Sequence, residues 1–294
     1  MEKIFIDTDI GFDCDDVGAL SILNLFKNKG LCEILGMTHS TKFNKTGVKT
    51  IKAVNDFFHN GDIKVGFCDS CRNLCGQVRV HEYNDELIRR FYKDNAYNDL
   101  FFSSTDLLLK ALINEEDKSV TYISIGMLTN LASAYSYKDE FLDGEEILNK
   151  KLKEIVIMGG NFNSKISEFN IKSDIYSSQV VLEKASTNIY FLDFNVGVNI
   201  KTGGKLINEN NPIGIAYSLF SKGDRESWDP LTVLFALKHD DDLFTISKEG
   251  TVRIDKNGFT AFDDSTLSKH YLIGLNKEKE IVENRINDYM EEKL

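Results

Sequence analysis

Two prolines are scattered through 294 residues, and no Pro/Gly linker, internal repeat or low-complexity tract divides the chain. A single domain over residues 1–294 is the expected organisation, with two small domains the alternative that the length allows. Cysteines number five: Cys14, Cys32, Cys68, Cys71 and Cys75. An odd count in a chain this long does not suit a disulfide framework. The Cys68-x-x-Cys71-x-x-x-Cys75 spacing leaves open a metal or redox site completed by His81, against buried or chance thiols in a reducing cytosol. No apolar run approaches the ~20 residues of a membrane span. Met1 leads directly into a strand with no signal peptide ahead of it, so cytoplasmic residence is expected. No dense Lys/Arg cluster interrupts a net charge of -11 (35 basic against 46 acidic residues), which argues against a nucleic-acid partner.

What the sequence has in quantity is carboxylate in one place. Asp7, Asp9, Asp13, Asp15 and Asp16 put five aspartates within ten residues. Two ionised carboxylates about 4 Å apart repel by roughly 1 kcal/mol in water and by several times more in a drier cleft. A fold that gathers several of them needs a cation or a bound proton to offset that repulsion. Oxygen-only ligands favour calcium, magnesium or manganese over zinc or copper. Helix capping by Asp15 or Asp16 accounts for one or two of the five.

Short apolar runs alternate with helical patterns along most of the chain. Strands are expected at residues 3–9, 33–40, 64–68, 120–126, 154–160 and 188–194, and helices at 16–29, 46–59, 105–114, 128–137 and 174–184. Apolar strands separated by helices indicate an α/β fold, a mostly parallel central sheet covered by helices on both faces. Ligands bind such sheets outside the C-terminal ends of the strands. After about Thr245 the pattern changes. Residues 244–255 and 259–263 predict a small antiparallel extension around Gly250 and Gly258, and a final helix from about Lys277 would set Ile281, Val282, Ile286, Tyr289 and Met290 on one face.

Two familiar loops are excluded. A calcium loop of EF-hand type starting at Asp7 would need Gly and Glu where Phe12 and Gly18 stand. Thr202-Gly203-Gly204-Lys205 lacks phosphate-loop spacing and reads as a turn. A strand ending in Asp-x-Asp also suits magnesium phosphatases of the haloacid dehalogenase type, with Asp7 as nucleophile, but Ile10-Gly11-Phe12 is a poor continuation. Three further segments bear on the choice. Ser124-Ile125-Gly126-Met127-Leu128-Thr129-Asn130-Leu131 runs from a strand through a tight turn into a helix. Met158-Gly159-Gly160 precedes Glu168-Phe169-Asn170 and Asp174. Ser227-Trp228-Asp229-Pro230-Leu231 holds the single Trp, and its Asp-Pro is by itself an ordinary helix start.

Together, in this order and at this spacing, these segments resemble the nucleoside hydrolase family from Asp7 to about Leu234. The opening resembles the longer form of that family's signature, Asp-x-Asp-Ile-Gly-x-Asp-x-Asp-Asp. The resemblance implies the Rossmann-like nucleoside hydrolase fold and calcium-dependent hydrolysis of ribonucleosides to free base and ribose. It implies a calcium ion held by Asp9, Asp16, Asp229 and the backbone carbonyl of Ile125, with Asp9 taking the proton of the attacking water. By the same resemblance Asp15 would hydrogen-bond a ribose hydroxyl, Glu168 and Asn170 would grip the 3′ and 5′ side, and Asn44 would contact the ribose. Asp7 would support the ligands from behind. Members often form dimers or tetramers, so a homo-oligomer is expected.

Four departures from the family pattern stand out. Trp228 replaces a leaving-group His and is similar to the purine-preferring branch, where indole stacks on the base, a platform worth ~1–3 kcal/mol. The stretch between Gly160 and Glu168 is short, leaving Asn161 or Asn163 to meet the 5′-hydroxyl or admitting substrates with a modified 5′ end. The loop around His81 matches loosely, with Tyr83 as a candidate second stacking aromatic. Cys14 lies inside the acidic loop, where oxidation would disturb the site. His239 before Asp240-Asp241-Asp242 suits a helix end, and those three Asp read as a solvated turn. A ribonucleoside-binding protein without turnover is the alternative from another class.

Overall fold

The structure is a computed structural model and describes residues 1–42, 45–69, 81–93, 102–238 and 240–292. Its strands are β1 (Glu2–Thr8), β2 (Cys32–Lys42), β3 (Val65–Cys68), β4 (Phe102–Ser103), β5 (Val120–Ser124), β6 (Leu152–Met158), β7 (Asn188–Leu192), β8 (Lys201–Thr202), β9 (Arg225–Glu226), β10 (Phe244–Ile246), β11 (Thr251–Ile254), β12 (Thr260–Asp263) and β13 (His270–Leu275). Its α-helices are α1 (Asp15–Asn28), α2 (Lys45–Phe57), α3 (Glu82–Phe91), α4 (Ser104–Leu112), α5 (Thr129–Ser136), α6 (Gly144–Lys151), α7 (Phe169–Ser173), α8 (Ile175–Lys184), α9 (Phe194–Gly197), α10 (Pro212–Phe220), α11 (Trp228–Leu237) and α12 (Lys279–Glu291).

Among the described residues, nine strands form one sheet in the order β10-β13-β7-β6-β5-β1-β2-β3-β4. Its pairings are parallel except for β10 against β13. Alternation along each strand feeds two cores, one on each face. Ile4 and Ile6 of β1 enter one core and Phe5 enters the other; on β6, Val156 and Met158 part from Ile155 and Ile157 in the same way. Helices α1, α2, α10 and α11 cover the first face, and α4, α5 and α8 cover the second. Burial on both faces is why these strands read as unbroken apolar runs.

Register brings the site together. Asp7 sits opposite Ser124, Ser124 opposite Ile157, and Met158 opposite Leu192. The segments leaving β1, β5, β6 and β7 therefore emerge side by side at one edge. Ile125 N–H donates to the Asp7 carbonyl at 2.9 Å and Gly159 N–H to the Leu192 carbonyl at 3.1 Å, extending that alignment past the strand ends.

The C-terminal region carries the expected small antiparallel extension, β11 against β12, while its first strand pairs elsewhere. Residues 244–255 do not form one strand: β10 joins the main sheet beside β13, while β11 pairs with β12 as a separate antiparallel ribbon. Gly258 has a positive φ of 82°, which favours glycine at the tip. On α12, Val282, Ile286 and Met290 are buried as expected, but Ile281 is 47% exposed and lies off that face. Asp240 is also no solvated residue. It is buried, pairs with Arg285, and accepts from Tyr289 Oη at 2.6 Å, fastening α12 to the end of α11. Gly203, with φ 87°, makes the turn expected of Thr202-Gly203-Gly204-Lys205.

Candidate active site

The five aspartates do not lie together in a solvated loop. Asp7, Asp9, Asp15 and Asp16 are all buried, and Gly11 turns the chain between them with φ 127°. Asp7 faces into the fold: its Oδ1 accepts Thr38 Oγ1 at 2.6 Å and Asn130 Nδ2 at 2.8 Å. Burial pushes the Asp7 carboxyl up to about 7 despite those bonds. It is not among the residues lining the cleft, so the phosphatase reading lacks an accessible nucleophile there.

Asp15 and Asp16 open α1, and Asp229 opens α11. Carboxylate oxygens of these three lie within 4.8 Å of one another. Asp229 N–H donates to Asp15 Oδ2 at 3.1 Å, so the N-termini of two helices meet through the cluster. Asp16 also accepts a short hydrogen bond from Thr8 Oγ1. Burial first, then repulsion from Asp16, raises the Asp9 carboxyl well above its ordinary value. Burial and Asp13 raise Asp15, burial and Asp15 raise Asp229, and burial pushes Asp16 up to about 8. Such mutual repulsion in a dry site is what a divalent cation relieves. Every donor is oxygen, a set that suits calcium or magnesium rather than a thiolate-seeking metal.

Gly126 explains part of the Ser-Ile-Gly turn. A Cβ there would fall 2.5 Å from Ser40 Oγ and 2.8 Å from Asp9 N. Only glycine lets the strand end of β5 press against Asp9, and that contact puts Ile125 on the cleft wall.

The cleft above the cluster has a volume of about 470 Å³. Asp9, Asp15, Asp16, Asp229, Ile125, Asn161, Glu168, Asn170 and Trp228 all line it, so nine of the expected site residues converge. Asn44 lies outside the described residues, as do His239, Cys71 and Cys75. Aromatic rings form the walls. Phe194 stacks on Trp228 with centroids 5.4 Å apart, and Phe12 meets Phe169 edge-on at 5.1 Å. Trp228 Nε1 donates to the Phe194 carbonyl at 2.9 Å, which fixes the indole.

Glu168 has a structural task. As N-cap of α7, its Oε1 accepts Asn170 N–H at 2.7 Å, and its Oε2 accepts Gly160 N–H at 3.1 Å and Ile171 N–H at 3.0 Å. Asn170 Nδ2 reaches the Met158 carbonyl at 3.2 Å, and Asn161 Oδ1 accepts from Asn195 Nδ2 at 3.1 Å. Both carboxamides are thereby oriented at the cleft edge.

Two expectations fail here. Tyr83 is fully buried on α3 and donates a short hydrogen bond to the Asp13 carbonyl, so it is a brace and not a stacking aromatic. Burial raises the Cys14 thiol far above its ordinary value, which removes the reactive thiolate. Among the described residues no disulfide forms; Cys14, Cys32 and Cys68 are each buried. His39 is sealed in the fold, with Nε2 on the Ile10 carbonyl at 3.1 Å and Nδ1 on Thr41 Oγ1 at 3.0 Å; burial lowers it to about 4. Sequence reasoning also missed Arg225. It lines the cleft, and its Nη2 meets Asp13 Oδ2 at 2.6 Å. Asp13, which also accepts Asp15 N–H at 3.0 Å, is held below the ordinary carboxylate range against its burial by those hydrogen bonds and the Arg225 charge.

An acidic, all-oxygen floor lies under aromatic walls at the C-terminal edge of a parallel sheet, and its carboxylates are placed where a metal ion could be held. The chain belongs to the inosine-uridine preferring nucleoside hydrolase family, whose model matches residues 4–282. It is 27% identical over 86 residues to an inosine-uridine preferring nucleoside hydrolase of Leishmania major, a stretch covering 28% of this chain and 25% of that protein. The match to curated relatives thus spans about a quarter of their length. The purine-preferring ribonucleoside hydrolase from Gardnerella vaginalis superposes with a TM-score of 0.77 at 19% identity, covering 98% of this chain and 99% of that one. A plant nucleoside hydrolase gives a TM-score of 0.76 at 20% identity over 98% of each chain. These likenesses show the fold. Among the described residues no helix is long and apolar enough to cross a membrane.

Proposed function

We propose that the chain is a single-domain, calcium-dependent N-ribohydrolase that cleaves ribonucleosides, purine ones preferentially, to free base and ribose. The observation that carries this reading is the clustering of Asp15, Asp16 and Asp229 within 4.8 Å beneath the Trp228 wall, in a chain of this family. Asp16, Asp229 and the Ile125 carbonyl would hold the cation together with Asp9. A bound calcium supplies the charge that anchors vicinal ribose hydroxyls and acidifies water.

The remaining chemistry belongs to the side chains. Asp9, raised by burial and by Asp16, accepts a proton from the water that attacks the anomeric carbon. Asp15, with Oδ2 already oriented by Asp229 N–H, takes a ribose hydroxyl. The carboxylate floor stabilises the positive charge that develops on the sugar as the glycosidic bond breaks. Asn161, Asn170 and the helix capped by Glu168 bound the sugar at the other edge. Trp228 presents its indole to the base at the cleft wall, and the purine preference of the Gardnerella vaginalis protein agrees with that assignment.

Incubation with a panel of ribonucleosides and calcium, followed by a reducing-sugar assay, tests the reading. Ribose release is expected, with purine nucleosides ahead, and Asp9→Ala should lower it by roughly a thousandfold. Tight nucleoside binding without ribose release would make the chain a binding protein instead.

A further inference from the structure

We propose that Arg225 stabilises the departing base, an assignment that rests on the ribohydrolase reading above. Among the described residues it is the one basic side chain that lines the cleft. It sits at the aromatic wall, its guanidinium carbon 5.2 Å from the centre of the Trp228 ring and 5.5 Å from that of Phe220. The guanidinium thus lies over the indole, and a base that reaches the Trp228 wall would meet a fixed cation.

The guanidinium is held firmly and still has donors to give. Of its five N–H bonds, one on Nη2 goes to Asp13 Oδ2 at 2.6 Å and one on Nη1 to Glu226 Oε2 at 2.8 Å. The Nε–H has no partner but is buried, so contact with the base falls to the remaining Nη hydrogens. The backbone is fixed as well, because Arg225 on β9 pairs with Thr202 on β8. No histidine lines the cleft among the described residues, and His39 is committed to the Ile10 carbonyl and Thr41.

The chemistry balances without a proton from Arg225. Water oxygen bonds to the anomeric carbon as the glycosidic C–N bond breaks, and that electron pair moves onto the base. Asp9 takes the proton lost by water and returns it to solvent. The base carries the developing negative charge against a charge-assisted hydrogen bond from the guanidinium, which stays protonated throughout. The base then takes its proton from solvent, giving ribose and neutral base.

A rival role is that the Arg225–Asp13 pair only holds the acidic loop in place. Leaving-group dependence separates the two. Inosine needs help to expel its base, whereas 4-nitrophenyl ribofuranoside releases a phenolate stable on its own. With calcium present, Arg225→Gln should lower kcat/KM for inosine at least about tenfold more than for the nitrophenyl riboside. Arg225→Lys should recover part of that difference, and Asp13→Asn, which keeps the cation, should affect the two substrates alike. Equal losses on both substrates in Arg225→Gln and Arg225→Lys would overturn the assignment. Failure of the wild-type protein to cleave either substrate would instead sink the ribohydrolase reading itself.

Discussion

Gly126 shows how a position with no side chain can matter to a site built of side chains. The methyl group of Gly126→Ala would press on Ser40 Oγ and on the Asp9 backbone. That clash should cost about 1–3 kcal/mol of stability, and it should weaken calcium binding measured by titration calorimetry, because Asp9 would shift. Wild-type affinity in Gly126→Ala would show that Asp9 is not a ligand. The carboxylates themselves were legible in the sequence, since five aspartates so close together have few structural explanations and Asp229 follows the only Trp. Arg225 was not legible. It is one of 35 basic residues, and what brings it to Asp13 is a two-residue pairing of β8 with β9 that no local pattern announces. Tyr83 was misread for a related reason: its partner is a backbone carbonyl seventy positions away in the chain.

Among the elements, strands were easier to read than helices. The apolar runs of β1, β2, β5, β6 and β7 survive as strands within a residue or two of expectation because both faces of the sheet are covered. Helices α3, α6 and α10 were missed. On α6 only Gly144 and Leu148 are buried, too narrow a stripe to register as a period; α10 is apolar nearly all round, so it shows no contrast between faces. The split of residues 244–255 depends on β13, a later strand that takes β10 to the sheet edge. Short helix α7 depends on its cap. Removing the Glu168 carboxylate leaves the N–H groups of Gly160, Asn170 and Ile171 without their acceptor. Glu168→Ala should therefore lose about 1–3 kcal/mol in urea unfolding, whereas Glu168→Gln, which keeps one acceptor oxygen, should lose less. Equal stability of Glu168→Ala and wild type would show that α7 does not rely on this cap.

For the molecule as a whole, the acidic floor couples folding to pH and to metal. Asp16 is raised to about 8, and Asp9, Asp15 and Asp229 are also raised, all chiefly by burial. A carboxyl whose folded pKa exceeds its unfolded value binds more protons in the native state, so stability falls as pH rises towards that folded pKa. Burial lowers His39 and His270 to about 4, so both are largely neutral above about pH 7 and do not oppose the trend there. Metal-free protein should accordingly melt at a lower temperature at pH 8 than at pH 7. Calcium at a hundred times its Kd should restore about 2.7 kcal/mol; at one fixed calcium concentration the rise in Tm should be larger at pH 8, where fewer protons compete for the carboxylates. A melting temperature indifferent to calcium at both pH values would remove the floor as a cation site. The most direct measurement is the initial rate of ribose release from inosine against free calcium, starting from chelated protein. A negligible rate in chelator, rising saturably with calcium and lost in Asp229→Ala, is the expected result; an undiminished rate in chelator would contradict the calcium-dependent ribohydrolase.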